Sequence, residues 1–274
     1  LKKFAAILLI LLCLTGMMTA CAQTSTATAT KDEASADKTE IIIFAAASMT
    51  ETLEQLAVSY QSSHPDIKLT YNFDSSGTLK TQIEEGADCD LFISAAQKQM
   101  NGLQDGGYIN TDTRLDLLEN KVALCVAANS KSGIKGYKDM RDHLEKGDIL
   151  MAIGNEDVPV GQYTQKILAY YDLDETKLAK SGLLTYGSNV KEVTSQIAEG
   201  TVDCGIIYQT DAFSANLAVS DTATEEMCGQ VIYPAAVPAA SQHTAQANAF
   251  LEYLQTAQAS EVFEAVGFTP LSVK

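Results

Sequence analysis

Short apolar runs of strand length alternate along this chain with longer stretches whose apolar residues recur every three or four positions. Ile41, Ile42, Ile43 and Phe44 carry the first run, which predicts a strand over 40–47. Leu53, Leu56, Ala57 and Tyr60 then share one face of a helix predicted over 49–62. A strand over 66–73, a helix over 77–85 and a strand over 90–94 complete this first series. The second series has strands over 121–127, 149–153, 183–186 and 202–208, with helices over 160–171 and 190–199. A strand over 230–237 and helices over 243–255 and 260–266 close the chain. Strands separated by helices indicate βαβ units, hence parallel sheets covered by helices. The closing elements are too few to stand alone and are expected to return to the first sheet. The fold class is therefore α/β with two lobes, residues 39–120 plus 231–274 in lobe 1 and 121–230 in lobe 2. Two crossing strands join them, and a ligand cleft lies between. No fixed-period repeat is visible.

The first twenty residues break this pattern. Lys2 and Lys3 precede an apolar run from Phe4 to Leu14, then small and polar residues lead to Ala20-Cys21. That is the layout of a secretory signal peptide, and the run is too short to span a bilayer. Met18-Thr19-Ala20-Cys21 resembles a bacterial lipobox, which makes Cys21 the expected lipidation site, with simple secretion as the alternative. Residues 22–38 are Ala, Thr, Ser and charged residues with a single Gln, a composition that reads as a flexible tether behind an anchor.

Charge changes the picture next. The chain carries a formal net charge of −16, and without residues 1–20 it has 17 basic against 35 acidic residues, a net of −18. Nucleic-acid binding calls for a basic footprint and is excluded as a partner class. Arg114 and Arg141 are the only arginines, and neither lies near the segments described next. A site for an anion would then rest on hydroxyls and backbone N–H groups instead of Arg forks. His64, His143 and His243 are far apart, and Cys89, Cys125, Cys204 and Cys228 show no metal-ligand spacing. No metal-ion ligands and no cofactor are expected. Export makes disulfides chemically accessible, but spacing does not pair these thiols.

Four segments read as a strand or loop running into a helix start: 45–51, 74–78, 157–161 and 187–192. A helix start offers unpaired N–H groups and the positive end of the helix dipole, so it favours anions. In open α/β sheets these junctions also surround the ligand crevice. Ser48 stands three residues before Glu51, a capping-box spacing, and either caps its helix or faces a ligand. Ser76, beside Gly77, repeats that choice. Val158-Pro159-Val160-Gly161 offers the N–H of Val160, and Asn189-Val190 that of Val190, with Asn189 as cap. Tyr208 ends the strand Gly205-Ile206-Ile207-Tyr208, where it either packs or turns its hydroxyl to the cleft.

The segments FAAASMTETLEQLA, FDSSGTLKTQIEEGADCDLFISAAQKQM, GNEDVPVGQYTQKIL, GIIYQTDA and EVFEAVGFTP, in this order across residues 39–274, resemble the periplasmic molybdate-binding components of ABC transporters. The resemblance implies the two-lobe periplasmic-binding-protein-like fold of type II, with the ligand in the interlobe cleft. It implies that molybdate, a tetrahedral dianion, is held by two serines, two backbone amides and a tyrosine. Carried over by motif, these are Ser48, Ser76, the N–H groups of Val160 and Val190, and Tyr208. It further implies a monomeric binding protein that serves an ABC permease from outside the cell, here held to the membrane by its lipid, with tungstate as a second ligand. Sulfate on the same fold is the alternative. A hydrolase using Ser48 or Ser76 would need a positioned base, and no histidine lies in the four segments and no GxSxG occurs. A binding protein, not an enzyme, is expected.

Overall fold

The computed structural model describes residues 38–274. The expected leader, Cys21 and all but the last residue of the tether lie outside the described residues. In chain order the strands are β1 (Thr39–Ala46), β2 (Ile67–Asp74), β3 (Leu91–Ile93), β4 (Leu115–Asn120), β5 (Val122–Val126) and β6 (Met151–Gly154). They continue as β7 (Leu184–Gly187), β8 (Cys204–Tyr208), β9 (Val219–Thr222), β10 (Val231–Ala236) and β11 (Thr269–Pro270).

They form two sheets, one of six strands in the order β11-β4-β10-β3-β1-β2 and one of five in the order β7-β6-β8-β5-β9. In the first, β1 pairs in parallel with β2 and β3, while β10 enters antiparallel between β3 and β4. In the second, β6 pairs in parallel with β7 and β8, and β5 runs antiparallel to β8 and β9. The two sheets thus repeat one plan: three parallel strands, then an antiparallel strand that arrives from the other lobe. The fold is a two-lobe α/β fold of type II.

The first crossing is the β4–β5 run, where Lys121 alone separates the two sheets. The second is made by the short helix Glu225–Cys228 and not by a continuous strand as expected. Its end at Gly229, with φ 78°, redirects the chain into β10 at a left-handed position that glycine tolerates best. Helices cover both sheets through the apolar faces read from the sequence: Leu53, Leu56, Ala57 and Tyr60 of Thr50–Ser63 are all buried. Among the described residues no helix is long and apolar enough to cross a membrane.

Candidate functional site

Five strand-to-helix junctions converge between the two sheets. After β2, Ser75 caps the helix Ser76–Glu84 by accepting the N–H of Thr78 at 3.1 Å. Ser76 is therefore free of capping duty. Its Oγ accepts the N–H of Ala95 at 2.9 Å, which leaves its own proton to donate elsewhere.

Ser48 departs from the capping-box expectation. It sits in the 3-10 turn Ala47–Met49, and the helix Thr50–Ser63 begins at Met49 with no side-chain cap. Thr50 closes that turn by donating Oγ1–H to the carbonyl of Ala47 at 2.8 Å. The tighter turn carries the Ser48 hydroxyl away from the helix's first N–H groups. It lies instead 2.9 Å from the Tyr233 hydroxyl.

In the other lobe, Pro159 opens the helix Pro159–Tyr170 at the one position where its missing N–H costs nothing. Asn155 holds the preceding loop: its side-chain oxygen accepts the N–H of Asp157 at 3.0 Å, and its carbonyl that of Val158 at 3.1 Å. Gly161 lets the helix start press on the end of β6, since a methyl group there would stand 2.7 Å from the Gly154 carbonyl carbon. Val190 is the first residue of the helix Val190–Ala198, which Asn189 caps through the N–H of Glu192 at 3.1 Å. The N–H groups of Val160 and Val190 both belong to first turns, where no intrahelical acceptor exists. Tyr208 ends β8 and leads into Gln209–Ser214.

Ser48, Ser76, Val160, Val190 and Tyr208 line one cavity of about 10 Å³, together with Asp74, Ser75 and the small side chains of Ala46, Ala47 and Ala95. A space of that order is about that of one water molecule, so the lobes stand closed around it and nothing extended fits. All five residues are buried. The Tyr208 hydroxyl has no hydrogen-bond partner among the described residues. Burial, reinforced by nearby Tyr233, Tyr163 and Asp211, pushes its pKa well above the ordinary value, so it remains a neutral donor. No Lys, Arg or His lines the cavity. Arg114 is spent on Gln97, Asn101 and Gln104, and His64 stacks on Tyr60. Cys89, Cys125, Cys204 and Cys228 are buried and unpaired. Apart from Asp74, whose carboxylate accepts the N–H of Ser75 at 2.7 Å, the chemistry on offer is a shell of neutral donors. Burying a charge is costly unless hydrogen bonds replace its water, and preorganised donors at helix starts do that without a fixed countercharge.

Several residues around the cavity escaped the sequence reading. Tyr233 lies at a register shift of β10 beside Pro234, in an apolar run that signals only strand packing. Lys191 of lobe 2 reaches across the cleft to both oxygens of Glu51 at 2.8 Å and approaches buried Asp211 at 3.5 Å. Neither contact has a signal in sequence spacing, because the first joins the two lobes and the second joins the starts of two different helices of lobe 2.

Residues 41–269 match the family described as bacterial extracellular solute-binding protein. The chain belongs to this family. A Bacillus subtilis relative, provisionally named ABC transporter substrate-binding lipoprotein YvgL, is 34% identical over 234 residues, covering 85% of this chain and 87% of its own. The Escherichia coli molybdate-binding protein ModA is 34% identical over 239 residues, covering 85% and 90%. Among solved structures, the Azotobacter vinelandii periplasmic molybdate-binding protein superposes with a TM-score of 0.73 at 21% identity, over 84% of this chain and 98% of that one, which supports the fold. As a member of a solute-binding family whose description is extracellular, the chain is a binding protein that works outside the cytoplasm, and not an enzyme.

Proposed function

We propose that this chain captures molybdate, and tungstate with it, outside the cell and delivers the anion to an ABC permease while held to the membrane through a lipid on Cys21. Ser48, Ser76, Tyr208 and the N–H groups of Val160 and Val190 are the donors to the anion, and the chain acts as a monomer. The observation that carries this reading is the Tyr208 hydroxyl, buried without a partner in a cavity lined by serine hydroxyls and helix starts. A buried donor of that kind calls for a partner from outside the chain. The relatives narrow the partner: ModA of Escherichia coli is named for binding molybdate, and YvgL is named a lipoprotein. The lipobox-like Met18-Thr19-Ala20-Cys21 agrees with the second name. Molybdate and tungstate are close in size and equal in charge, so one donor shell serves both. Sulfate has shorter bonds and leaves the same donors too far away.

Calorimetric titration with the three anions tests this. Molybdate and tungstate are expected to bind alike, and sulfate at least ~100-fold more weakly, a difference of about 2.7 kcal/mol. Sulfate binding within tenfold of molybdate would turn the assignment toward a sulfate carrier.

The donor set makes its own forecast. Ser76→Ala and Ser48→Ala should each weaken molybdate by about 1.5–3 kcal/mol, the range for a hydrogen bond to a charged group. Val160→Ala and Val190→Ala keep the backbone N–H and should leave affinity near that of the wild type. If the valine substitutions cost more than the serine ones, the donor shell is wrongly drawn.

A further inference from the structure

Among the described residues one ion pair crosses the cleft, from Lys191 in the first turn of Val190–Ala198 to Glu51 in the first turn of Thr50–Ser63. Lys191 Nζ donates to both Glu51 oxygens at 2.8 Å. The same ammonium is the cation that faces Asp211, at 3.5 Å. Asp211 is wholly buried, and neither of its carboxylate oxygens has a hydrogen-bond partner. A carboxylate placed so, sharing its cation with a better-paired rival, takes a proton readily. It is also close to the anion cavity. Tyr208 lines that cavity and is the N-cap residue of Gln209–Ser214, whose first turn holds Asp211. The charge of Asp211 reaches the Tyr208 hydroxyl, whose pKa it helps to raise. The remaining neighbours do not titrate with it: burial keeps Tyr208, Tyr233 and Cys125 neutral. Asp221 of β9, with Glu261 and Glu264 of Ala257–Val266, lies on the other elements packed against this helix, and all three are exposed to water.

We infer that Asp211 is a proton-binding site coupled to the anion cavity, so that capture of a dianion between the lobes takes up a proton on this carboxylate. The inference rests on the oxyanion reading of the cavity. Every electrostatic contribution has the same sign. In this closed form desolvation pushes the pKa of Asp211 up to about 7, with Lys191 pulling it down and Glu51 pushing it up. A dianion beside Tyr208 adds negative charge and raises it further. Opening acts the other way: Glu51 leaves with lobe 1, Lys191 is left to pair with Asp211 alone, and water enters the cleft. The pKa is therefore higher in the captured form than in the open one, so capture binds a proton. Affinity is fully present below the open-form value and is lost as pH rises toward the captured-form value, by at most about tenfold per pH unit.

Calorimetric titration with molybdate at pH 7, in two buffers of different ionisation enthalpy, counts the protons exchanged. Molybdate stays fully deprotonated from pH 6 to 8.5, so the ligand adds nothing to the count. The wild type is expected to take up about 0.5–1 proton per anion, and to bind at least ~10-fold more weakly at pH 8.5 than at pH 6. Asp211→Asn has the shape of the carboxyl and no charge at either pH. Its uptake should vanish, and at pH 8.5 it should bind molybdate ~10-fold more tightly than the wild type. A damaged fold does not produce a gain of affinity, so that outcome separates charge from packing. Lys191→Met should move the uptake to higher pH, a second readout should Asp211→Asn fail to fold. Uptake below about 0.2 proton in the wild type, or uptake that persists in Asp211→Asn, would overturn the inference while the oxyanion reading stands. Wild-type protein that binds no molybdate at any pH would overturn both.

Discussion

Gly77→Ala is expected to remove most of the protein's oxyanion affinity without weakening the unliganded fold. Gly77 lies in the first turn of the helix Ser76–Glu84 in the first lobe, and it faces Asp157 in the loop before Pro159 of the second. A methyl group built on Gly77 would press on the Asp157 carbonyl oxygen inside van der Waals contact, and would stand 3.0 Å from its carbonyl carbon and 3.1 Å from its Cβ. Two of these neighbours are backbone, so no rotamer change relieves the clash. Neither lobe is disturbed internally; only their approach is blocked. Ser48 and Ser76 stand on one side of the cleft and Val160, Val190 and Tyr208 on the other, so propping the lobes apart lengthens several bonds to the anion together. Losing two charge-assisted bonds costs about 3–6 kcal/mol, hence an affinity loss of at least ~100-fold. Alanine in a helix is also favoured over glycine by about 0.5–1 kcal/mol, so the ligand-free melting temperature should hold or rise. Calorimetry and melts on the same samples check both halves. Small-angle scattering adds a third reading: hinge closure on ligand compacts the wild type, and the variant should show little of it. An affinity within threefold of wild type would mean that the lobes do not close onto this contact.

How much of this was legible in the sequence depends on whether an element announces itself locally. The parallel strands did, because each is an apolar run bounded by turn residues, and β1 to β3 and β6 to β8 fall within two or three residues of their expected ends. Strand β4 did not: Asp116 and Glu119 interrupt its apolar run, and its partners β10 and β11 lie more than a hundred residues away. The helices Gln97–Asp105 and Tyr137–Lys146 also went unread, because only three residues of each are buried and the rest of each is polar. Ser48, Ser76, Val160, Val190 and Tyr208 could be proposed because helix starts carry a recognisable pattern, and the structure gathers them at one cavity. What sequence could not supply is the closure of that cavity. Tyr233, Gly77 and Lys191 meet partners from distant segments, and an apolar strand or a polar helix face is all that each shows locally.

The second large effect should come from Lys191→Met, and it should depend on pH. Asp211 is wholly buried, its carboxylate oxygens have no hydrogen-bond partner among the described residues, and Lys191 Nζ at 3.5 Å is the cation that faces it. Desolvation pushes its pKa up to about 7, with Lys191 pulling it down and Glu51 pushing it up. Tyr208, Tyr233 and Cys125 also neighbour it, but burial holds all three in their neutral forms through this range. An aspartate whose folded pKa lies above its unfolded value of 3.8 binds more protons in the native state. Its contribution to stability therefore falls as pH rises from about 4 to about 7 and levels off above. Removing the Lys191 charge raises the folded pKa further and extends that fall into the alkaline range. Near pH 5.5 the carboxyl is protonated with or without Lys191, so the substitution should cost little there beyond its exposed pairing with Glu51. Near pH 8.5 it strands a buried charge, a loss that approaches about 3–5 kcal/mol and is capped by whatever proton uptake costs instead. Urea denaturation at the two pH values measures the difference. Adding Asp211→Asn to Lys191→Met removes the titrating group and should bring the two curves together. Equal destabilisation at both pH values, or a pH dependence that survives in the double variant, would assign the effect to lost packing and not to the buried carboxylate.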